Sequence, residues 1–262
     1  MSEQTQKLVF VSGMKRSGST WSYNVCRFLL DDVFGETRVA KGYVGERKAI
    51  EDVIDNLNAT DHNKAVTKNK DVILLKFHFP TARLIELVAS GRAKNVYTYR
   101  NPLNALASDI EFFHLPFDQS LNNILHCLKA MHEWRKHPGT LFIDFSNINA
   151  HPTEEIRRIA EHLGLTANEA TMERCAEANS YQKIKQVSEE MAHWAPERLT
   201  RTNAKNPLTF DPVTLLHVRH APTGAARDWR KTLTKDQAKK AVDIMEPWLP
   251  ENYKSLFSEI DF

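Results

Sequence analysis

Cysteine is scarce in this chain: Cys26, Cys127 and Cys175 are the only three among 262 residues. They are far apart, odd in number, and each falls in a segment with helical apolar spacing, which predicts buried reduced thiols rather than a disulfide framework. No Cys-x-x-Cys pair and no zinc-ligand spacing occurs. Long apolar runs are missing too, since no stretch approaches the roughly 20 residues that a membrane-spanning helix needs. The polar start, MSEQTQK, leads directly into a strand pattern, so the expected location is cytoplasmic with no membrane partner. An excess of one charge sign is also lacking, with 35 Lys and Arg against 33 Asp and Glu, a formal charge of +2. That near balance argues against a general nucleic-acid binder and leaves any basic site to a local cluster. No internal repeat or low-complexity segment appears. The length and an apolar fraction of 42% predict one globular domain over residues 1–262.

What is present is organised around Leu8 to Tyr23, LVFVSGMKRSGSTWSY. An apolar run, Leu8 to Val11, gives way to a Gly-flanked polar loop and then to helical spacing at Trp21, Val25, Phe28 and Leu29, which reads as strand, loop, helix. Gly13 and Gly18 let the loop curl so that backbone N–H groups point inward, and the N-terminus of the new helix favours an anion there. Ser17, Ser19 and Thr20 add hydroxyls; Lys15 and Arg16 add charge. The spacing Gly13-x-x-x-x-Gly18 resembles the Walker loop of nucleotide triphosphatases, but Ser19 stands where that loop has lysine. A chain lacking this lysine is a poor candidate for cleaving ATP or GTP, and a nucleotide whose phosphate is held closer in, countered by Arg16, fits better. An ordinary Gly/Ser turn is the bland alternative.

Further along, residues 36–70 are polar, with a helix expected from Glu46 to Leu57. Strands are expected at Val72 to Phe77, Asn95 to Tyr99 and Leu141 to Phe145. Between and after them come helices at Thr81 to Val88, from Pro102, at Leu121 to Trp134, Pro152 to Leu163, Ala167 to Ala176, Tyr181 to Met191 and Lys235 to Trp248. Glu111 to Asp118, aromatic and broken by Pro116, reads as a loop. Periodicity fades from Ala195 to Thr234. Strands alternating with helices predict an α/β fold of the P-loop-like kind, a mostly parallel central sheet with helices on both faces and the ligand at the carboxyl ends of the strands.

That rule gathers three strand ends. Lys76 and His78 share one side of the chain while Phe77 points away, and histidine is the side chain best suited to take a proton near neutral pH. A structural histidine is the alternative, with ten others in the chain. Arg100 ends a strand and Ser108 lies about two turns into the next helix, on the face of its first turn, so the pair is suited to a phosphate. A surface arginine and an ordinary helix serine remain the alternative. Later, Arg219, Gly224, Asp228, Trp229 and Arg230 form a basic stretch that reads either as a loop closing over an anion or as a solvated loop.

Taken together, these segments resemble the PAPS-dependent sulfotransferases of the cytosolic small-molecule type. The family's Pro-Lys/Arg-Ser-Gly-Thr-Thr-Trp loop stands here as Lys15-Arg16-Ser17-Gly18-Ser19-Thr20-Trp21, its Lys-x-His-x-Pro as Lys76-Phe77-His78-Phe79-Pro80, and its Arg-Asn-Pro with a later Ser as Arg100-Asn101-Pro102 and Ser108. Ser180-Tyr181-Gln182-Lys183-Ile184-Lys185 is similar to its adenine-side segment, and Arg219-His220-Ala221 with Arg227-Asp228-Trp229-Arg230 to its closing pattern. Two departures stand out: Arg16 replaces the usual lysine, and His220-Ala221 replaces Lys-Gly. The resemblance implies that Trp21 and Tyr181 flank the adenine, that Arg100, Ser108 and Arg219 hold the 3′-phosphate, and that Arg16 with the loop amides holds the 5′-phosphate. It also implies that His78 deprotonates the acceptor and Lys76 supports the transferring group, with PAPS as donor, PAP as product and no metal. The acceptor would be a small molecule with a hydroxyl or amine, its pocket drawn from Gly35 to Lys70, Glu111 to Phe117 and Met191 to Phe210. The short chain suits bacterial specialised metabolism, and Asp109 and Glu111 would suit a cationic acceptor such as a saxitoxin-type alkaloid. Two other classes stay open: a small-molecule or nucleotide kinase, and a catalytically inactive PAP-binding protein.

Overall fold

The computed structural model describes residues 7–44, 70–201, 209–218, 228–249, 251 and 253–254. The helix expected at Glu46 to Leu57 lies outside them, as does Arg219.

Five strands form one sheet: β1 (Lys7–Gly13), β2 (Val39–Tyr43), β3 (Val72–Lys76), β4 (Ala93–Tyr99) and β5 (Thr140–Asp144). Their order is β2-β3-β1-β4-β5 and every pairing is parallel. After β1 the chain goes to the edge as β2 and returns inward as β3, which pairs with β1, then crosses to the other side for β4 and β5. The order therefore reverses beside β1, which opens a crevice beyond the carboxyl ends of β3, β1 and β4. β3 is buried at all five positions, as a strand covered on both faces must be. β2 is an element that the polar reading of residues 36–70 does not anticipate. It is an edge strand of five residues, buried only in its first two, so Lys41, Gly42 and Tyr43 hide its alternation.

Helices cover both faces. On one lie α1 (Ser19–Phe34), α5 (Phe145–Ala150), α6 (Pro152–Leu163), α7 (Glu169–Ala178) and α8 (Tyr181–Glu190), around a core containing Val9, Val11, Trp21, Cys26, Val96, Ile159 and Cys175. On the other lie α2 (Ala82–Ala89), α3 (Pro102–Phe113), α4 (Phe117–Trp134) and α9 (Lys235–Met245), around Phe10, Phe77, Tyr97, Leu106, Cys127 and Trp134. All three cysteines are buried free thiols. The loop expected from Glu111 to Asp118 shrinks to three residues. α3 continues to Phe113 and stops at His114 in the left-handed conformation, φ 53°, and α4 starts from Pro116. Proline disfavours helical backbone at Leu115, so the break falls there and not at the aromatic pair. Two further short strands, Thr200–Arg201 and Thr209–Phe210, pair antiparallel within the stretch that lacks periodicity.

Candidate active site

The loop between β1 and α1 is fastened to β4 by one carbonyl. Thr98 O accepts from Met14 N (2.9 Å) and from the Ser17 hydroxyl (2.7 Å), which also reaches Met14 O (2.6 Å). Ser17 thus holds the loop shut, and its hydroxyl is engaged with backbone oxygens. A Cβ on Gly13 would come within 2.7 Å of Thr98 O, and Gly18, at φ 89°, has Phe145 only 3.0 Å from where a Cβ would stand. Both positions therefore require glycine for close approach, and Gly18 also for its backbone. α1 opens at Gly18 with no side-chain cap and no acidic residue in its first turn, whereas α2, α3, α5, α7, α8 and α9 each begin under a capping Thr, Asn, Asp or Ser. Its N-terminal N–H groups and positive dipole end are left for an anion.

Four cationic side chains meet this loop. Lys76, buried at the end of β3, donates from Nζ to Thr20 Oγ1 (2.6 Å) in the first turn of α1. Burial, with a smaller contribution from the Arg16 charge, pushes its pKa down to about 7. Arg16 takes positive φ (62°) and sends its guanidinium across to α3, where Nε donates to Ser108 Oγ (3.2 Å) and Cζ lies 3.7 Å from the Phe112 ring centroid. Arg100 is buried at the end of β4, donates from Nη1 to Arg16 O (3.1 Å) and stacks on Phe145. Lys15 departs from its neighbours. Its ammonium lies over the rings of Phe79 and Phe113, at 5.7 and 5.8 Å from their centroids.

His78 sits directly beyond β3, with Nδ1 2.9 Å from Gly13 O. A carbonyl only accepts, so Nδ1 carries the proton and the Nε2 lone pair is left to take another. Burial first, then the charge of Lys76, and more weakly those of Lys15 and Arg16, lower its pKa to about 3 against the opposing effect of the Gly13 bond. The imidazole is neutral at physiological pH.

Of the residues singled out in the sequence, Arg16, Lys76, His78, Arg100 and Ser108 converge around the loop. Ser19 and Thr20 open α1, and Ser19, Thr20 and Trp21 are buried. Tyr181 opens α8, whose Ile184 packs against the same apolar cluster as Trp21. Asp228 caps the turn that carries Trp229, which is buried and whose N–H donates to Asn104 on α3 (3.0 Å). Two carboxylates are engaged elsewhere: Asp109 is fully buried and accepts from Asn123 on α4 (3.1 Å), and Glu111 accepts from the Thr232 hydroxyl. Asp109 Oδ1 has no hydrogen-bond partner among the described residues, and Glu111 is exposed.

Two residues of the site were not singled out. Tyr43, at the end of β2, sets its ring edge-on to His78 (6.4 Å) and 6.0 Å from Lys76 Nζ. His217 packs against Phe112 (5.9 Å) and Phe210 (5.6 Å), and burial together with the charges of Lys76 and Arg16 lowers its pKa to about 4. It follows Leu215, a non-glycine residue at φ 57°. The sequence signal for Tyr43 was the half-formed alternation of β2; for His217 there was none. Among the described residues no group of three or more His, Cys, Asp or Glu is placed to hold a metal ion.

A parallel five-stranded α/β sheet with an anion-ready strand-loop-helix at its switch point defines the class, and comparison with known proteins defines the family. The Sulfotransferase domain model matches residues 6–255, and the chain belongs to that family. Rat Sulfotransferase 1A1 is 22% identical over 185 residues, covering 63% of this chain and 58% of the rat protein. Among solved structures, mouse sulfotransferase SULT7A1 complexed with PAP aligns over 98% of this chain and 90% of its own at TM-score 0.65 and 15% identity. Retinol dehydratase in complex with androsterone and PAP aligns over 93% and 81% at TM-score 0.61 and 17% identity. These structural likenesses carry the fold.

Proposed function

We propose that the protein transfers a sulfuryl group from PAPS to the hydroxyl, or amine, of a small-molecule acceptor, in line and without a metal. The observation that carries this reading is the placement of His78: its Nδ1–H is tied to Gly13, its Nε2 is left to accept, and it stands beside a phosphate-type loop with Lys76 two residues before it. The acceptor oxygen attacks sulfur, its proton passes to His78 Nε2, and the bond from sulfur to the 5′-phosphate oxygen breaks, leaving a sulfate ester and PAP. Arg16 and the N-terminus of α1 stabilise the charge that grows on the departing phosphate, an interaction stronger in the transition state than in the ground state. Arg100, Ser108 and Arg219 hold the 3′-phosphate, with Trp21 and Tyr181 on the adenine. The loop fits an anion on its own evidence, since two cations, an uncapped helix start and two obligatory glycines converge there. Family membership supports the chemistry, PAP in two related structures supports the donor, and androsterone in one supports a small-molecule acceptor. Free buried thiols support a reducing, cytoplasmic setting.

Single-turnover transfer from PAPS, measured with a chelator present, tests the reading. Wild type should transfer, and Arg16→Ala should lower the rate much more than it weakens donor binding, with Arg16→Lys retaining part of the rate. Chelator-sensitive transfer, or an alanine variant with the wild-type rate, would remove the central claim.

A further inference from the structure

Three cations are felt at His78, those of Lys76, Lys15 and Arg16. Two of them are bonded toward the loop and α3: Lys76 to Thr20, Arg16 to Ser108. The third makes no hydrogen bond among the described residues. Arg16 has left-handed backbone, and the two side chains meet neighbouring rings at the end of α3, Arg16 on Phe112 and Lys15 on Phe113 as well as on Phe79. The Lys15 main chain and its charge both lie close to the Cys127 thiol on α4. From there the ammonium reaches only ring faces among the described residues, those of Phe79 and Phe113. A contact of this kind is worth about 0.5–1 kcal/mol and uses none of the three N–H donors on a hydrogen-bond acceptor.

Phe79 adjoins His78 in sequence, Phe113 adjoins the Phe112 that stacks under Arg16, and Tyr43 closes on His78 from β2. Tyr43 sets an aromatic edge against His78, and the Lys15 ammonium, whose charge is felt at His78, lies over the rings of Phe79 and Phe113. If the donor's phosphates are matched by Arg16, Arg100 and Lys76, Lys15 is a charge left over on the acceptor side. Resting on the sulfotransferase reading above, we propose that Lys15 selects an acceptor that carries an acid group, a carboxylate or its equivalent, in addition to the hydroxyl that receives the sulfuryl group. The ammonium offers that acid group charge-assisted hydrogen bonds and offsets its repulsion by the incoming sulfuryl group.

The test uses phenols bearing a carboxylate at increasing distance, 4-hydroxybenzoate, 4-hydroxyphenylacetate and 4-hydroxyphenylpropionate, each against its methyl ester. For at least one pair, wild type should favour the acid by about tenfold or more in kcat/KM, the scale of one charge-assisted contact. Lys15→Met should bring that ratio close to one, and Lys15→Arg should restore most of it. The ratio of dissociation constants for the same pair, measured on PAP-saturated protein and on free protein, should move in parallel. A wild-type preference for the esters throughout, or a ratio that Lys15→Met leaves unchanged, would overturn the proposal. So would a Lys15→Met variant whose PAP affinity drops as far as its acid affinity, because Lys15 would then belong to the donor. Failure of wild type to bind PAP strikes instead at the sulfotransferase reading, and the ratio on free protein still judges Lys15 by itself.

Discussion

The two sides of His78 are built by different physics. Three of the four cations around the loop are cross-bonded: Lys76 to Thr20, Arg16 to Ser108, Arg100 to the Arg16 carbonyl, with Ser17 and Thr98 fastening the loop beneath them. Toward Tyr43, Phe79 and Phe113 the contacts are aromatic faces and edges, and the Lys15 ammonium rests on rings. Directional hydrogen bonds fix a constellation within tenths of an ångström, as positioning of a reacting donor demands. Aromatic contacts tolerate displacement and fit a range of shapes. The comparison teaches that chemistry and donor recognition are built into the rigid side, while acceptor choice is left to the adaptable one.

The largest effect that can break this division is at His78, which lies on the boundary. His78→Ala should lower kcat by about 10²–10⁴-fold, the usual scale for a general base, and leave PAP affinity nearly unchanged. A variant that turns over normally would make His78 structural. One that loses PAP affinity would move it wholly to the donor side and dissolve the boundary.

Arg100 sharpens the rigid side. Each charge-assisted hydrogen bond is worth about 1.5–3 kcal/mol, so Arg100→Ala should weaken PAP at least tenfold while barely affecting a nucleotide without the 3′-phosphate. Calorimetry on the two ligands reads the difference, and equal weakening would show that Arg100 supports the loop through the Arg16 carbonyl rather than reading a phosphate.

The same division explains what the sequence could disclose. β3 and the Val9–Val11 stretch of β1 are legible because burial on both faces leaves an unbroken apolar run, while β4 and β5 show through shorter apolar and aromatic pieces that end at Arg100 and Asp144. The rigid side was legible with them, since Gly13, Gly18, Lys76, His78 and Arg100 each sit at a strand end or helix start, where position follows from local structure. The adaptable side was not. Tyr43 lies on an edge strand whose alternation is half exposed, and Phe112 and Phe113 were assigned to a loop although α3 carries them. His217 comes from a segment without periodicity and reaches the site through the turn at Leu215, which Asp211 holds by accepting from Val213, Thr214 and Leu215 N–H groups. Arg16 stands at positive φ, a conformation that arginine seldom adopts and that the sequence does not signal.

Lys76 yields the smallest expected effect, and one that separates a bonded cation from a merely nearby one. In the ligand-free protein its pKa is lowered to about 7, chiefly by burial, against an ordinary value of 10.5. The unfolded chain therefore holds more protons than the folded one between pH 7 and 10.5, so the penalty of burying the charge is fully present below pH 7 and is relieved as pH rises through that window. Stability should rise with pH there, and Lys76→Met should flatten the rise. A phosphate placed beside Nζ reverses the balance, because an adjacent negative charge favours the ammonium. PAP binding above pH 7 should then draw in up to one proton, and affinity should fall by at most about tenfold per pH unit, the limit for one linked proton. Below pH 7 the lysine is already charged and contributes no slope. Calorimetry at pH 8 in buffers of different ionisation enthalpy measures the uptake directly. Lys76→Arg, charged throughout, should bind PAP with no proton uptake from this position. If wild type takes up no proton at pH 8, the bound phosphates do not reach Lys76, and the rigid side of the site is smaller than its hydrogen bonds suggest.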